Sequence, residues 1–166
     1  TDNELNIKQI SGKKLSYNNY NDIFSALQIS KSLPKNIGTV IVKHSNPCGI
    51  SINKNNLKSY LMALSCDPVS AFGGIVACNF KIKKNLALEL KKTFLEVIIC
   101  NGIEKKALKI LQKKKDLRII DAKNLKLKNL DELTSRFNSI LFQSTDNRLF
   151  SNKNFKVVSK RKPTIK

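Results

Sequence analysis

Two adjacent side chains, Lys43 and His44, are the first candidates for chemistry in this sequence. They follow Gly38-Thr39-Val40-Ile41-Val42, a β-branched run too short for a helix, and precede Asn46-Pro47-Cys48-Gly49, which reads as a turn. His44 is the only histidine among 166 residues. Imidazole as a class exchanges protons near neutral pH, and an ammonium beside it can steady negative charge developing on a reacting oxygen. Residue type alone fits a bland reading equally well: a surface histidine after a strand, and one more solvated lysine among 27. Two further candidates lie downstream. Gly73-Gly74 opens a second apolar strand, Ile75-Val76-Ala77-Cys78, and adjacent glycines permit either a close approach of backbone to ligand or simply a tight turn. Glu96 heads a third strand, Val97-Ile98-Ile99-Cys100, a common place for a carboxylate.

A metal centre is poorly supported. Cys48, Cys66, Cys78 and Cys100 lie 18, 12 and 22 residues apart, with no C-x-x-C pair and no second histidine. Cys78 and Cys100 read as small buried hydrophobes, Cys48 as a turn residue open to solvent, and all four as the reduced thiols of a cytoplasmic protein.

The elements that must carry these residues alternate. Polar residues 1–20 read as a loop. Asp22 reads as the cap of a helix over about 23–33, with Ile23, Ala26, Leu27 and Ser30 on one face and Pro34 as its stop. Asn55 or Asn56 caps a second helix with Leu57, Tyr60, Leu61 and Leu64 recurring at helical spacing, closed by Asp67-Pro68. A third helix carries Leu86, Leu90 and, if it runs that far, Phe94 on one face, and a fourth, about 104–114, turns Ala107, Leu108 and Leu111 inward. Arg118-Ile119-Ile120 is a fourth strand and residues 139–144 the last, after an irregular stretch over 122–138. Strands alternating with helices predict an α/β three-layer sandwich with a mostly parallel, mixed sheet.

Composition excludes several classes. A hydrophobic fraction of 41% suits one globular core, and no apolar run approaches the roughly 20 residues that span a bilayer. The charge of +19 invites a nucleic-acid reading, yet it comes from 27 lysines against 4 arginines, beside 19 asparagines and 18 isoleucines. Arginine dominates bidentate phosphate and base contacts, and the aromatic interleaving of single-strand binders is missing. The basic face is therefore read as solvated, and as an attractor for small anionic substrates. The start, Thr1-Asp2-Asn3-Glu4, and the basic end suggest a piece of a longer chain.

Three stretches taken together carry a family resemblance: Gly12-Lys13-Lys14-Leu15-Ser16-Tyr17-Asn18-Asn19, Val42-Lys43-His44-Ser45-Asn46-Pro47-Cys48-Gly49 and Ser70-Ala71-Phe72-Gly73-Gly74-Ile75-Val76-Ala77. They resemble the bifunctional purine-biosynthesis proteins, which join aminoimidazole carboxamide ribonucleotide (AICAR) formyltransferase to inosine monophosphate (IMP) cyclohydrolase. The Glu96-Val97-Ile98-Ile99 strand and the Glu104–Leu111 helix match in order and spacing. The resemblance implies that residues 1–150 are the N-terminal half of the formyltransferase domain and 151–166 a connector toward its second half, with the cyclohydrolase domain and that second half outside this sequence. It implies a cytidine-deaminase-like fold, although the H-x-E and P-C-x-x-C zinc pattern is missing, which favours a metal-free site.

The implied reaction is transfer of a formyl group from 10-formyltetrahydrofolate, the co-substrate, to the 5-amino group of AICAR. By the resemblance His44 is the proton acceptor, Lys43 the stabilising cation, and Gly73 and Glu96 contact the nucleotide, the last at a position often held by aspartate. A cytoplasmic homodimer with its sites at the subunit interface is implied, as is an isolated fragment without turnover. Where the family usually has a glycine pair, this sequence has Asn138-Ser139.

One tension follows. Lys43 and His44 end a strand whereas Gly73 and Glu96 begin strands, so in a wholly parallel sheet they would stand on opposite edges. Either the first strand runs antiparallel to the others or two subunits share the site. The competing functions are a non-catalytic basic RNA-binding module, motivated by the charge, and a zinc nucleoside deaminase, weakened by the missing ligands.

Overall fold

A computed structural model of the chain describes residues 7–125, 132–144, 156–162 and 164. The chain divides into two compact units, Thr1–Lys126 and Leu127–Lys166, each described by itself. The first is α/β: β1 (Lys8–Ser11), α1 (Tyr17–Ser32), β2 (Gly38–Lys43), β3 (Asn46–Ile52), α2 (Asn56–Cys66), β4 (Gly74–Cys78), α3 (Lys84–Leu90), β5 (Leu95–Cys100), α4 (Lys105–Leu111) and β6 (Arg118–Asp121). Its six strands form one mixed sheet in the order β1-β6-β5-β4-β2-β3.

The middle strands read as continuous apolar runs because both of their faces are covered. Ile41, Val76, Cys78, Ile98, Cys100 and Ile119 join a core cluster with Tyr60 and Ala63 of α2, Leu86 and Leu90 of α3, and Ala107 and Leu111 of α4. The alternate residues Val40, Val42, Ile75, Ala77, Val97 and Ile99 are buried as well. Helix α1, with Ile23, Ala26 and Leu27 buried, packs against β2, β4 and β5.

Several expectations need correction. The sheet is parallel only across β4-β5-β6, while β2 runs antiparallel to both β3 and β4, and β1 antiparallel to β6. The link between β2 and β3 is too short to cross over and can join only antiparallel neighbours. The α2 crossover then lays β4 parallel to β3 and so antiparallel to β2. The turn is His44-Ser45, and Asn46-Pro47-Cys48-Gly49 belongs to strand β3 with a register shift at Ile41/Val42. Pro47 is tolerated because β3 is an edge strand. Cys48 is accordingly half-buried, and burial raises its thiol pKa.

Helix α1 starts six residues before the expected position. Ser16 is its N-cap, in a capping box with Asn19, and Asp22 lies within the helix. In α2 the N-cap is Asn55, as one of the two expected residues, but the buried face is Ser59, Tyr60 and Ala63, with Leu61 40% exposed. Cys78 and Cys100 are buried as expected, and burial pushes both thiols up, Cys100 to about 12.

The second unit holds an antiparallel hairpin of β7 (Glu132–Arg136) and β8 (Ser139–Gln143). The last strand was expected, whereas β7 falls in the stretch read as irregular. Phe137, just before Asn138-Ser139, takes a left-handed φ of 50°. Residues 151–155, where the connector was expected to begin, lie outside the described residues. Among the described residues no helix is long and apolar enough to cross a membrane.

Candidate functional site

The antiparallel run of β2 removes the tension between strand ends and strand starts. Val42 pairs with Ile75 of β4, and Gly74 pairs with Leu95 of β5, so the end of β2 lies beside the beginnings of β4 and β5. Lys43, Gly73 and Glu96 therefore share one end of the sheet within a single chain. Lys43 and Glu96 sit on strands two places apart, which sets their backbones about 10 Å from each other.

Lys43 is half-buried, and its Nζ donates to the Phe72 carbonyl at 2.8 Å. An ammonium carries three donors, so two remain for a ligand oxygen. The next residue, Gly73, has φ +75°, a conformation that costs an L-residue on the order of 1 kcal/mol, and its N–H donates to Phe94 O at 2.8 Å. Gly74 is needed for space: a Cβ there would stand 2.9 Å from the Val42 carbonyl. The two glycines thus do different jobs, one bending the chain and the other letting β2 and β4 close on each other.

Glu96 is half-buried and accepts a 2.8 Å hydrogen bond from Asn19 Nδ2. Asn19 is 3% exposed and also closes the capping box of α1. His44 is exposed and occupies the first position of the β2–β3 turn, with φ 52°, followed by Ser45 with φ 61°. Two successive left-handed residues are the requirement of a type I′ hairpin, usually met by Asn-Gly. Here Asp22 Oδ1 accepts from both the Ser45 N–H at 2.7 Å and the Ser45 hydroxyl at 3.3 Å, and Asn46 Nδ2 donates to the His44 carbonyl at 2.8 Å.

A cleft of about 440 Å³ opens beside Glu96, lined among others by Lys13, Phe94, Lys114, Asp116 and Arg118. Lys13 pairs with Asp116 at 2.8 Å, which holds the Asp116 carboxyl below its usual range. Lys114 donates to Thr93 O at 2.6 Å, and partial burial, with Lys91 second, lowers its pKa. The cleft thus offers cations and apolar walls beside two carboxylates, Glu96 and the Lys13-paired Asp116, a setting for a polar, anionic small molecule.

Sequence reasoning named Lys43, His44, Gly73 and Glu96 but neither Asn19 nor the bonds from Ser45 to Asp22. A signal for the first existed: Asn19 precedes Ile23 by four residues and so lies on the inward stripe of α1, where a polar side chain calls for a partner.

The whole chain, residues 1–166, matches the family model described as the AICARFT/IMPCHase bienzyme. It is 41% identical over 170 residues to the bifunctional purine biosynthesis protein PurH of Caldicellulosiruptor saccharolyticus, covering 99% of this chain and 32% of that protein. It is 38% identical over 168 residues to the protein of that name from Acetivibrio thermocellus, covering 95% and 31%. The chain thus spans about a third of the length of these relatives. Among solved structures, a dCMP deaminase from the cyanophage S-TIM5 aligns at TM-score 0.39 and 13% identity over 62% of this chain and 91% of that one, too slight a likeness to bear on fold or chemistry. With its full length matched by the family model, the chain belongs to the AICARFT/IMPCHase bienzyme family.

Proposed function

We propose that this chain carries part of the AICAR formyltransferase site of a bifunctional enzyme of purine biosynthesis. The observation that supports it most is the antiparallel pairing of β2 with β4, which gathers Lys43, Gly73 and Glu96 at one sheet end with His44 in the adjoining turn. In this reading the α/β unit is a three-layer sandwich of the cytidine-deaminase-like kind, with α1 covering the face opposite α2, α3 and α4.

The 5-amino group of AICAR is a weak nucleophile because its lone pair is delocalised into the ring carboxamide. As its nitrogen bonds to the formyl carbon of 10-formyltetrahydrofolate, His44 takes the amine proton. Lys43 balances the charge on the formyl oxygen as the carbonyl becomes tetrahedral. The bond from the formyl carbon to the folate nitrogen then breaks, and the proton passes to that nitrogen, leaving formamido product and tetrahydrofolate. Gly73 and Glu96 hold the nucleotide, Glu96 being fixed by Asn19. No step is assigned to a metal. The protein acts in the cytoplasm as a homodimer, with the rest of the site contributed by segments beyond these 166 residues.

The test is folate-dependent formylation of AICAR by the intact gene product containing these residues. Turnover is expected; a folded, intact protein without it would sink the proposal. The charge of +19 keeps one other reading in play, an RNA-binding module. Retention of mixed RNA at physiological salt with a steep salt dependence would favour it, and release at moderate salt would remove it.

A further inference from the structure

We propose that Asp22 is a positioning residue, which holds the His44-Ser45 turn in its left-handed form and thereby sets where His44 stands at the sheet end. This rests on the formyltransferase reading for its consequence, but its physical basis is separate. The turn joins two strands whose register is fixed on both sides, Lys43 opposite Asn46 and Val42 opposite Pro47, so His44 and Ser45 must close the chain in two residues. Two-residue closures that match the strand twist are types I′ and II′, of which only I′ puts both residues at φ > 0, and the observed 52° and 61° are those of I′. Histidine visits that region fairly readily, whereas serine does so less readily. The sequence therefore lacks the glycine that would make the second position free of strain, and something outside the turn must hold it.

The Asp22 carboxylate is placed to do so. Its Oδ1 accepts both the N–H and the hydroxyl of Ser45, at 2.7 and 3.3 Å. The Ser45 N–H points at the carboxylate only while the turn keeps its left-handed form, so the bond selects that form. Asp22 is in turn immobilised by α1, three residues after Asn19 on the same helix. One face of α1 therefore reaches both sides of the proposed site: Asn19 steadies Glu96 on β5, and Asp22 steadies the residue after His44. The helix acts as a ruler between the nucleotide contact and the proton acceptor.

The experiment uses the intact protein with ¹³C-labelled histidine, the His44 ring signal being assigned by its loss in His44→Ala. Asp22→Ala keeps the helix, since alanine is its best former. It is expected to shift and broaden the His44 signal, to remove hydrogen-exchange protection from the Ser45 amide, and to lower kcat about tenfold with KM little changed, the worth of one charge-assisted hydrogen bond. Ser45→Gly in the Asp22→Ala background is expected to bring back both signal and turnover, because glycine adopts the left-handed form without help. A loss of fold would not be repaired by that change. An unaltered His44 signal and Ser45 protection in Asp22→Ala would overturn the proposal. So would normal turnover in Asp22→Ala when His44→Ala is inactive. If His44→Ala is itself fully active, the formyltransferase reading fails, and the signal and exchange arms still decide whether Asp22 holds the turn.

Discussion

The two ends of the six-stranded sheet are built to different purposes. At the end where β2 begins and β4, β5 and β6 finish, polar groups satisfy one another. Asn79 accepts from the Gly38 N–H at 2.8 Å and donates to Pro34 O at 2.9 Å, Asn101 donates to Asn79 O, and Asp121 accepts from the Gly102 and Lys123 amides. Left-handed backbone there falls on Asn36 and Gly102, residue types that accept it. At the other end it falls on Gly12 and Gly73 but also on His44 and Ser45, beside a lysine with donors to spare and a carboxylate held by a single side chain. One end spends its polar groups on closure, and the other keeps strain and unspent donors in place, as functional sites do.

This difference can be broken experimentally. The largest effect is expected for Lys43→Ala: formyl transfer slowed by about 10²–10³-fold, as for loss of one preorganised charge-stabilising donor. Its unfolding free energy should move by less than about 1 kcal/mol. Turnover kinetics and denaturant unfolding of the same variant separate the two. Asn79→Ala should do the reverse. With the buried Gly38 N–H left without its acceptor, stability should fall by about 2 kcal/mol, while turnover well below the new midpoint stays normal. A similar loss of activity in both variants would erase the distinction between the ends.

A smaller effect sharpens it. The Cys100 thiol, at the closed end of β5, is pushed up to about 12 from an ordinary 9.0 by burial first and by Asp121 second. A raised pKa means that the folded state resists losing a proton that the unfolded chain gives up. Stability is therefore fully present below about pH 9 and declines as pH rises toward 12. Cys100→Ala should flatten that alkaline decline in a thermal-unfolding series, and an unchanged slope would place its origin elsewhere.

Much of this architecture was legible in the sequence, for a physical reason. Strands β2, β4, β5 and β6 are covered on both faces, so their residues spell uninterrupted apolar runs bounded by turn residues. Strands β1 and β3 lie at the edges of the sheet, where Lys8 and Asn46 face water and pairing is decided by the neighbour. Pro47 in β3 imitates a turn for that reason, whereas Gly49 is buried where α2 comes close enough that a Cβ would clash with the Ala63 carbonyl. The start of α1 was obscured because Asn19 stands where a capping box usually has Glu or Gln. The site residues were named from a motif, but strand direction was not contained in it. Nor were the bonds from Asn19 to Glu96 and from Asp22 to Ser45, which span 77 and 23 residues and leave no local pattern.

The central claim is that the strained end of the sheet does chemistry. Its most direct test is the turnover of His44→Ala in the intact protein, measured beside its unfolding. The account predicts formyl transfer slowed by about 10²–10⁴-fold, the contribution of a positioned acid–base group, in a protein as stable as the parent. A His44→Ala protein that transfers the formyl group at nearly the parent rate would contradict it.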